Sequence, residues 1–170
     1  NIGNFRERSE MDIFEYAMQM EKDQEEFYRE IANNTEDEGL KSIMLMLADE
    51  EVKHYRTVQK MKDRKYVMSD TTILGDASKV FKKMAERGDF VEDEEDQIEV
   101  YKEAQEIEKR SELLYEEKAE EAEDEQQKKL LERLAEEERK HYFLLDNIIE
   151  FVARPEYWLE NAEWNHLEAY

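Results

Sequence analysis

The chain has 170 residues, no cysteine, only four glycines and one proline, and a formal charge of −22 from 47 acidic and 25 basic residues. Nucleic acid and anionic membranes would be repelled by such a surface, so neither is expected as a partner. The lack of cysteine excludes disulfides, thiolate zinc sites and any iron–sulfur or rubredoxin-type centre carried in this chain.

Composition also indicates the class of protein. Abundant Glu, Lys, Ala, Leu and Met with few glycines predict an all-α fold, and the length fits one domain over residues 1–170. No apolar run of about 18 residues is present, so no membrane span is predicted. Neither a signal-type apolar run nor a basic leader is visible, and we expect a cytoplasmic protein.

Four long amphipathic segments predict four helices, and these cover residues 10–33, 36–65, 94–123 and 125–153. Ser9 and Thr35 each precede an acidic residue by three positions, which predicts that they cap the first two helices. Pro155 is expected to end the helical run.

The links between these helices predict the topology. Tight links within residues 10–65 and 94–153 predict two antiparallel hairpins. The connection over residues 66–92 is long enough to cross the bundle, and its apolar spacing predicts a short helix over 78–87 that stops at Gly88. A short tail, residues 154–170, completes a ferritin-like four-helix bundle.

The two hairpins are copies of each other. Residues 87 positions apart match without a gap, so that Ala17-x3-Glu21 corresponds to Ala104-x3-Glu108. The same offset relates the motif Glu-x-x-His in the second helix to that in the fourth. Three matched pairs can bind metal, and they are Glu21 with Glu108, Glu51 with Glu138, and His54 with His141.

These six residues occupy apolar positions of their helices. In the second helix the apolar stripe runs through Leu47, Glu51, His54 and Val58. The candidate ligands also lie at one depth, about 18–22 Å from the turn of each hairpin at 1.5 Å per residue. They should therefore meet in one layer of the core.

Four carboxylates in one core need compensation. Two of them about 4 Å apart repel by roughly 4 kcal/mol at an effective dielectric constant of about 20. Two divalent cations would neutralise all four, and oxygen-rich ligation with one imidazole per ion suits iron or manganese. We expect Glu51 and Glu138 to bridge the ions, Glu21 and Glu108 to be terminal ligands, and one histidine to bind each ion.

With these motifs the chain resembles the rubrerythrin branch of the ferritin-like superfamily, without the rubredoxin domain. Tyr28 and Tyr115, each seven residues after a terminal Glu, are similar to tyrosines that assist the metal site in that family. The resemblance implies two iron ions and reduction of hydrogen peroxide, with electrons from an external carrier such as a rubredoxin. Family members carry a further glutamate at the position of Ser111.

The same residues fit two alternative functions. The chain could oxidise and handle Fe²⁺ with O₂ or peroxide, or its metals could be purely structural.

Glu25 and Glu112 are candidates for extra ligation and are otherwise expected in solvent. Glu50 and Glu137 fall off the apolar stripe and are expected to pair with lysines at the surface. Trp158 and Trp164 are expected to anchor the tail to the bundle or to a second subunit of a homodimer, whereas His166 has no predicted role.

Overall fold

The computed structural model describes residues 12–88, 95–160 and Leu167, and within these residues it contains six helices and no strand. The helices are α1 Ile13–Asn34, α2 Glu38–Lys62, α3 Ile73–Arg87, α4 Glu95–Glu121, α5 Glu125–Ala153 and α6 Pro155–Glu160. The predicted all-α bundle is confirmed. The predicted bounds of the fourth long helix, now α5, are confirmed as well.

Aspartates cap three of the helices. Asp12 caps α1, and the predicted cap Ser9 lies outside the described residues. The prediction for Thr35 was wrong, because the Asp37 carboxylate accepts from the Leu40 amide at 3.0 Å and starts α2 there. Thr35 instead ends α1, where its hydroxyl donates to the Ile31 carbonyl at 2.7 Å.

The crossover helix α3 begins five residues earlier than the sequence predicted. Gly75 in its first turn weakened the helical pattern, but Ile73 and Ala77 are buried against the bundle and compensate for it. The predicted stop is confirmed, since Gly88 has the left-handed backbone (φ 70°) that glycine adopts without strain. Helix α3 packs on α2 and α5.

The long helices form the two predicted hairpins, with α1 along α2 and α4 along α5. Their apolar residues form two clusters at different heights, one around Tyr28 and Leu47 and the other around Tyr115 and Val58. Each long helix passes from one cluster to the other. The layer between the clusters is where the sequence places the candidate ligands.

The tail folds back onto the bundle. Helix α5 ends at Ala153 before Pro155, which then opens α6. The Trp158 ring lies 4.6 Å from that of Phe81 and 5.7 Å from that of Phe151, measured between ring centroids. Trp158 therefore anchors the tail to α3 and α5, whereas Trp164 and His166 lie outside the described residues. None of the described helices combines the length and apolar character needed to cross a membrane.

Candidate metal centre

The structure brings all six predicted ligands together between the two apolar clusters. Helix α1 contributes Glu21 and α4 contributes Glu108, while α2 and α5 each contribute a Glu and a His one turn apart. All six side chains are completely buried, and they are Glu21, Glu51, His54, Glu108, Glu138 and His141. Residues three or four positions apart lie on the same face of a helix, so one or two residues from each of the four helices are enough to build this layer.

Two of the carboxylates span both imidazoles. Glu51 places Oε2 3.2 Å from His54 Nδ1 and Oε1 3.1 Å from His141 Nδ1. Glu138 repeats this with Oε1 3.3 Å from His54 Nδ1 and Oε2 3.5 Å from His141 Nδ1. Both residues therefore have the geometry of bridging ligands.

The other two carboxylates each approach one imidazole. Glu21 Oε2 lies 3.6 Å from His54 Nδ1, and Glu108 Oε1 lies 3.5 Å from His141 Nδ1. The two imidazole rings are nearly parallel, 5.3 Å apart between centroids. The cluster thus has two equivalent halves, each with one histidine, one terminal carboxylate and a share of both bridging carboxylates.

The ligand atoms of this cluster lack hydrogen-bond partners. Among the described residues, both oxygens of Glu51 and Glu138, Oε2 of Glu21 and Glu108, and Nδ1 of both histidines are buried without a hydrogen bond. Leaving one such atom unpaired costs about 1–3 kcal/mol. Eight potential ligand atoms converging on one layer fit two divalent cations, which would satisfy them all.

The electrostatics of the cluster point the same way. Burial, followed by the charge of Glu108, raises the pKa of Glu51 to about 8. Burial and the other carboxylates raise the pKa of Glu138 well above its ordinary value. Burial also raises the pKa of Glu108, but the charge of His141, whose Nδ1 lies 3.5 Å from Glu108 Oε1, outweighs it and lowers that pKa to about 2. Without metal, the cluster must therefore retain protons on some of its groups.

Two tyrosines link the hairpins at the terminal ligands. The Tyr28 hydroxyl on α1 donates to Glu108 Oε1, and the Tyr115 hydroxyl on α4 donates to Glu21 Oε1. Burial and the neighbouring carboxylates raise the pKa of both phenols well above the ordinary value. Both tyrosines therefore stay protonated and orient the carboxylates that they contact.

The prediction that Glu50 and Glu137 lie at the surface was wrong. Their exposed fractions are 5% and 6%, and Glu137 Oε2 lies 2.9 Å from His54 Nε2. A carboxylate at Nε2 fixes the imidazole so that Nδ1 faces the metal position. Glu50 does pair with a lysine, Lys53, at 2.6 Å. The prediction was wrong because the inner face of the paired helices is wider than the narrow apolar stripe on which it was based. The 87-residue repeat includes both glutamates, and this signal could have identified them.

Glu25 and Glu112, four positions beyond the candidate terminal ligands, pair with basic residues. Glu112 is buried rather than solvated, and it binds Arg139 at 3.0 Å and Lys109 at 3.1 Å. Glu25 pairs with Arg29 at 2.8 Å. Ser111 is completely buried between α4 and α1. Neither Glu25 nor Glu112 is placed as an extra ligand.

A layer of four buried glutamates and two histidines on four helices, with two glutamates spanning both histidines, defines the class of carboxylate-bridged di-metal bundles. Comparison with protein families agrees, because the sequence model of the family Rubrerythrin matches residues 12–149. The chain belongs to the rubrerythrin family, whose members are di-iron proteins of the oxidoreductase type. No curated protein and no solved structure gave a significant match.

Proposed function

We propose that this protein reduces hydrogen peroxide at a di-iron centre, using electrons from a separate carrier. The observation that carries the proposal is the pair of carboxylates, Glu51 and Glu138, each of which contacts both imidazoles. Oxygen-rich ligation with one imidazole per ion suits iron, with manganese as the other candidate. Two bound ferrous ions would supply one electron each, and two protons complete the conversion of one peroxide molecule to two waters.

The chain's own residues hold the site and its protons. The layer excludes bulk water, since all six ligands are completely buried. Tyr28 and Tyr115 each hold a proton at the phenol oxygen next to a terminal carboxylate. Each such pair can pass a proton between oxygen atoms already in contact. Glu137 holds the ring of His54 in place from the other side.

Under the proposal, electrons must come from outside these 170 residues. A rubredoxin-type centre needs cysteine thiolates, and the chain has no cysteine. Reduced protein should therefore be oxidised once and then stop, until a one-electron carrier such as reduced rubredoxin is added.

Anaerobic loading with Fe²⁺ followed by stopped-flow mixing with peroxide or with O₂ tests the proposal. We expect the ferrous protein to react faster with peroxide, and the product to be reduced again by the external carrier. A protein that reacts faster with O₂ would refute peroxide reduction as its activity. Absence of any absorbance change with either oxidant would favour a structural metal site.

A second candidate is oxidation and handling of Fe²⁺, and one observation favours it. Ser111 stands where the rubrerythrin resemblance implies a further glutamate, and its hydroxyl contacts Gln24 and the Ile107 carbonyl. A serine there offers no carboxylate for a change of ligand during turnover. Preference for O₂ together with rapid uptake of further Fe²⁺ would support this candidate, and light scattering would show whether a storage shell forms.

A further inference from the structure

A cavity of about 460 Å³ lies between α1 and α4. Apolar side chains form much of its wall, including Met20, Phe27 and Ile107. Gln24 and Ser111 are its buried polar residues, with exposed fractions of 2% and 0%. Gln19, Asp23 and Arg110 also line the cavity, but they are exposed, so its wall has one buried polar position.

The polar position has an unused hydrogen-bonding group. Ser111 Oγ lies 3.1 Å from Gln24 Oε1, and Gln24 Nε2 is buried without a partner among the described residues. Ser111 Oγ also lies 3.1 Å from the Ile107 carbonyl and 3.4 Å from Met20 Sδ, but a hydroxyl has only one proton to donate. Whichever way the amide is turned, one of its ends stays unpaired. A buried amide left in this state is costly, and a small polar molecule would satisfy it.

The same residues lie one helical turn from the metal layer. Gln24 follows Glu21 by three positions and Ser111 follows Glu108 by three, so each pair shares a helix face. Gln24 and Ser111 are also equivalent in the 87-residue repeat, and their side chains contact each other between α1 and α4. A molecule bound to the Gln24 amide would therefore lie about one helical turn from both terminal carboxylates.

The α1–α4 side of the metal layer differs from the α2–α5 side in its buried charge. On the α2–α5 side, the buried carboxylates of Glu50 and Glu137 flank the histidines, and His54, Glu50 and Glu137 have ligand atoms within 4.8 Å of one another. On the α1–α4 side, the buried polar groups of the cavity are a neutral amide and a neutral hydroxyl. The charged residues that line the cavity, Asp23 and Arg110, are exposed, so a neutral oxidant inside it meets no buried charge.

We propose that this cavity binds hydrogen peroxide on its way to the metal centre, with the Gln24 amide as its anchor and Ser111 as the residue that positions the amide. The inference rests on the proposed function and names the entrance used by its substrate. Peroxide both donates and accepts hydrogen bonds, as a buried amide requires, whereas O₂ donates none. Gln24 and Ser111 are positioning residues in this account.

Two substitutions with a matched control test the entrance. Ile107→Trp fills the cavity, and Gln24→Leu removes the anchor at similar size. Leu114→Trp is the control, since Leu114 is also partly buried on α4 but lines a different cavity near the Asp124 turn. In Fe²⁺-loaded protein we expect the first two variants to lower the second-order rate constant with peroxide by about tenfold or more, while the control keeps the wild-type value. Gln24→Leu should slow the reaction with O₂ much less than that with peroxide.

A second measurement does not depend on turnover. In zinc-loaded protein, which has no redox chemistry, titration with peroxide should shift the side-chain amide resonance of Gln24 in a saturable way. Ile107→Trp should abolish that shift and Leu114→Trp should preserve it. Wild-type rates in both test variants, equal slowing by Gln24→Leu with both oxidants, or no shift of the Gln24 amide would each overturn the inference. A wild-type protein that does not react with peroxide would refute the proposed function instead, and the zinc titration would still decide whether peroxide binds in the cavity.

Discussion

Replacing Glu137 by glutamine tests how the metal centre is held. Glu137 Oε2 lies 2.9 Å from His54 Nε2, and the substitution removes the charge while nearly preserving shape. Loss of such a carboxylate partner typically weakens metal binding by about 10- to 100-fold, which corresponds to about 1.4–2.7 kcal/mol. Glu136→Gln is a matched control, because Glu136 is the preceding residue but has a half-exposed side chain paired with Arg139 at 2.5 Å.

Competition with a chelator of known affinity measures the effect. The two variants and the wild type are loaded with Fe²⁺ without oxygen, and the metal remaining in each is followed as the chelator is added. We expect Glu137→Gln to lose its metal at about a tenth, or less, of the chelator concentration that the wild type requires. Glu136→Gln should match the wild type. Equal retention in both variants would refute the argument that Glu137 orients His54.

Three further predictions follow from the same geometry. Glu51→Ala or Glu138→Ala should reduce binding to at most one ion per chain in equilibrium dialysis, since each removes a bridge; two ions in either variant would contradict the bridging roles. Metal-free protein should become more stable as the pH falls from above 8 towards 5, because the folded pKa values of Glu51, about 8, and Glu138 are raised and their contribution is lost at higher pH. Below about pH 4.5 this trend should reverse, because the lowered pKa of Glu108 makes its contribution to stability disappear in acid. A melting temperature that stays flat or decreases as the pH is lowered from 8 to 5 would contradict the predicted gain in stability. Asp124→Ala should lower the free energy of unfolding in urea by about 1 kcal/mol, because Asp124 accepts from two amides at the start of α5; no change would mean that the cap contributes nothing.

The ligand set could be predicted because it depends on local periodicity and on an internal repeat. Glu51 and His54 stand on the apolar stripe of one helix, and Glu138 and His141 stand on that of its copy. Once the helices pair in register, residues at equal depth must meet. The candidate terminal ligands Glu21 and Glu108 follow from the same rule, and the structure places all six candidate residues in one buried layer.

Features set by contacts between helices could not be predicted from the sequence. Glu137 lies next to a ligand position on its own helix, but its partner His54 belongs to the other hairpin. The pairing of Gln24 with Ser111 likewise depends on how closely α1 approaches α4. The start of α2 was missed for a local reason, since Thr35 and Asp37 are both good capping residues and only the folded backbone decides between them.

The metal centre inferred here is a pair of ions bridged by Glu51 and Glu138. Mössbauer spectroscopy of oxidised protein loaded with isotopically enriched iron tests it most directly, because it shows both how many iron ions are bound and whether they are magnetically coupled. We expect two ferric ions per chain in one spin-coupled pair, and loss of the pair in Glu51→Ala. One ion per chain, or two uncoupled ions, would contradict it.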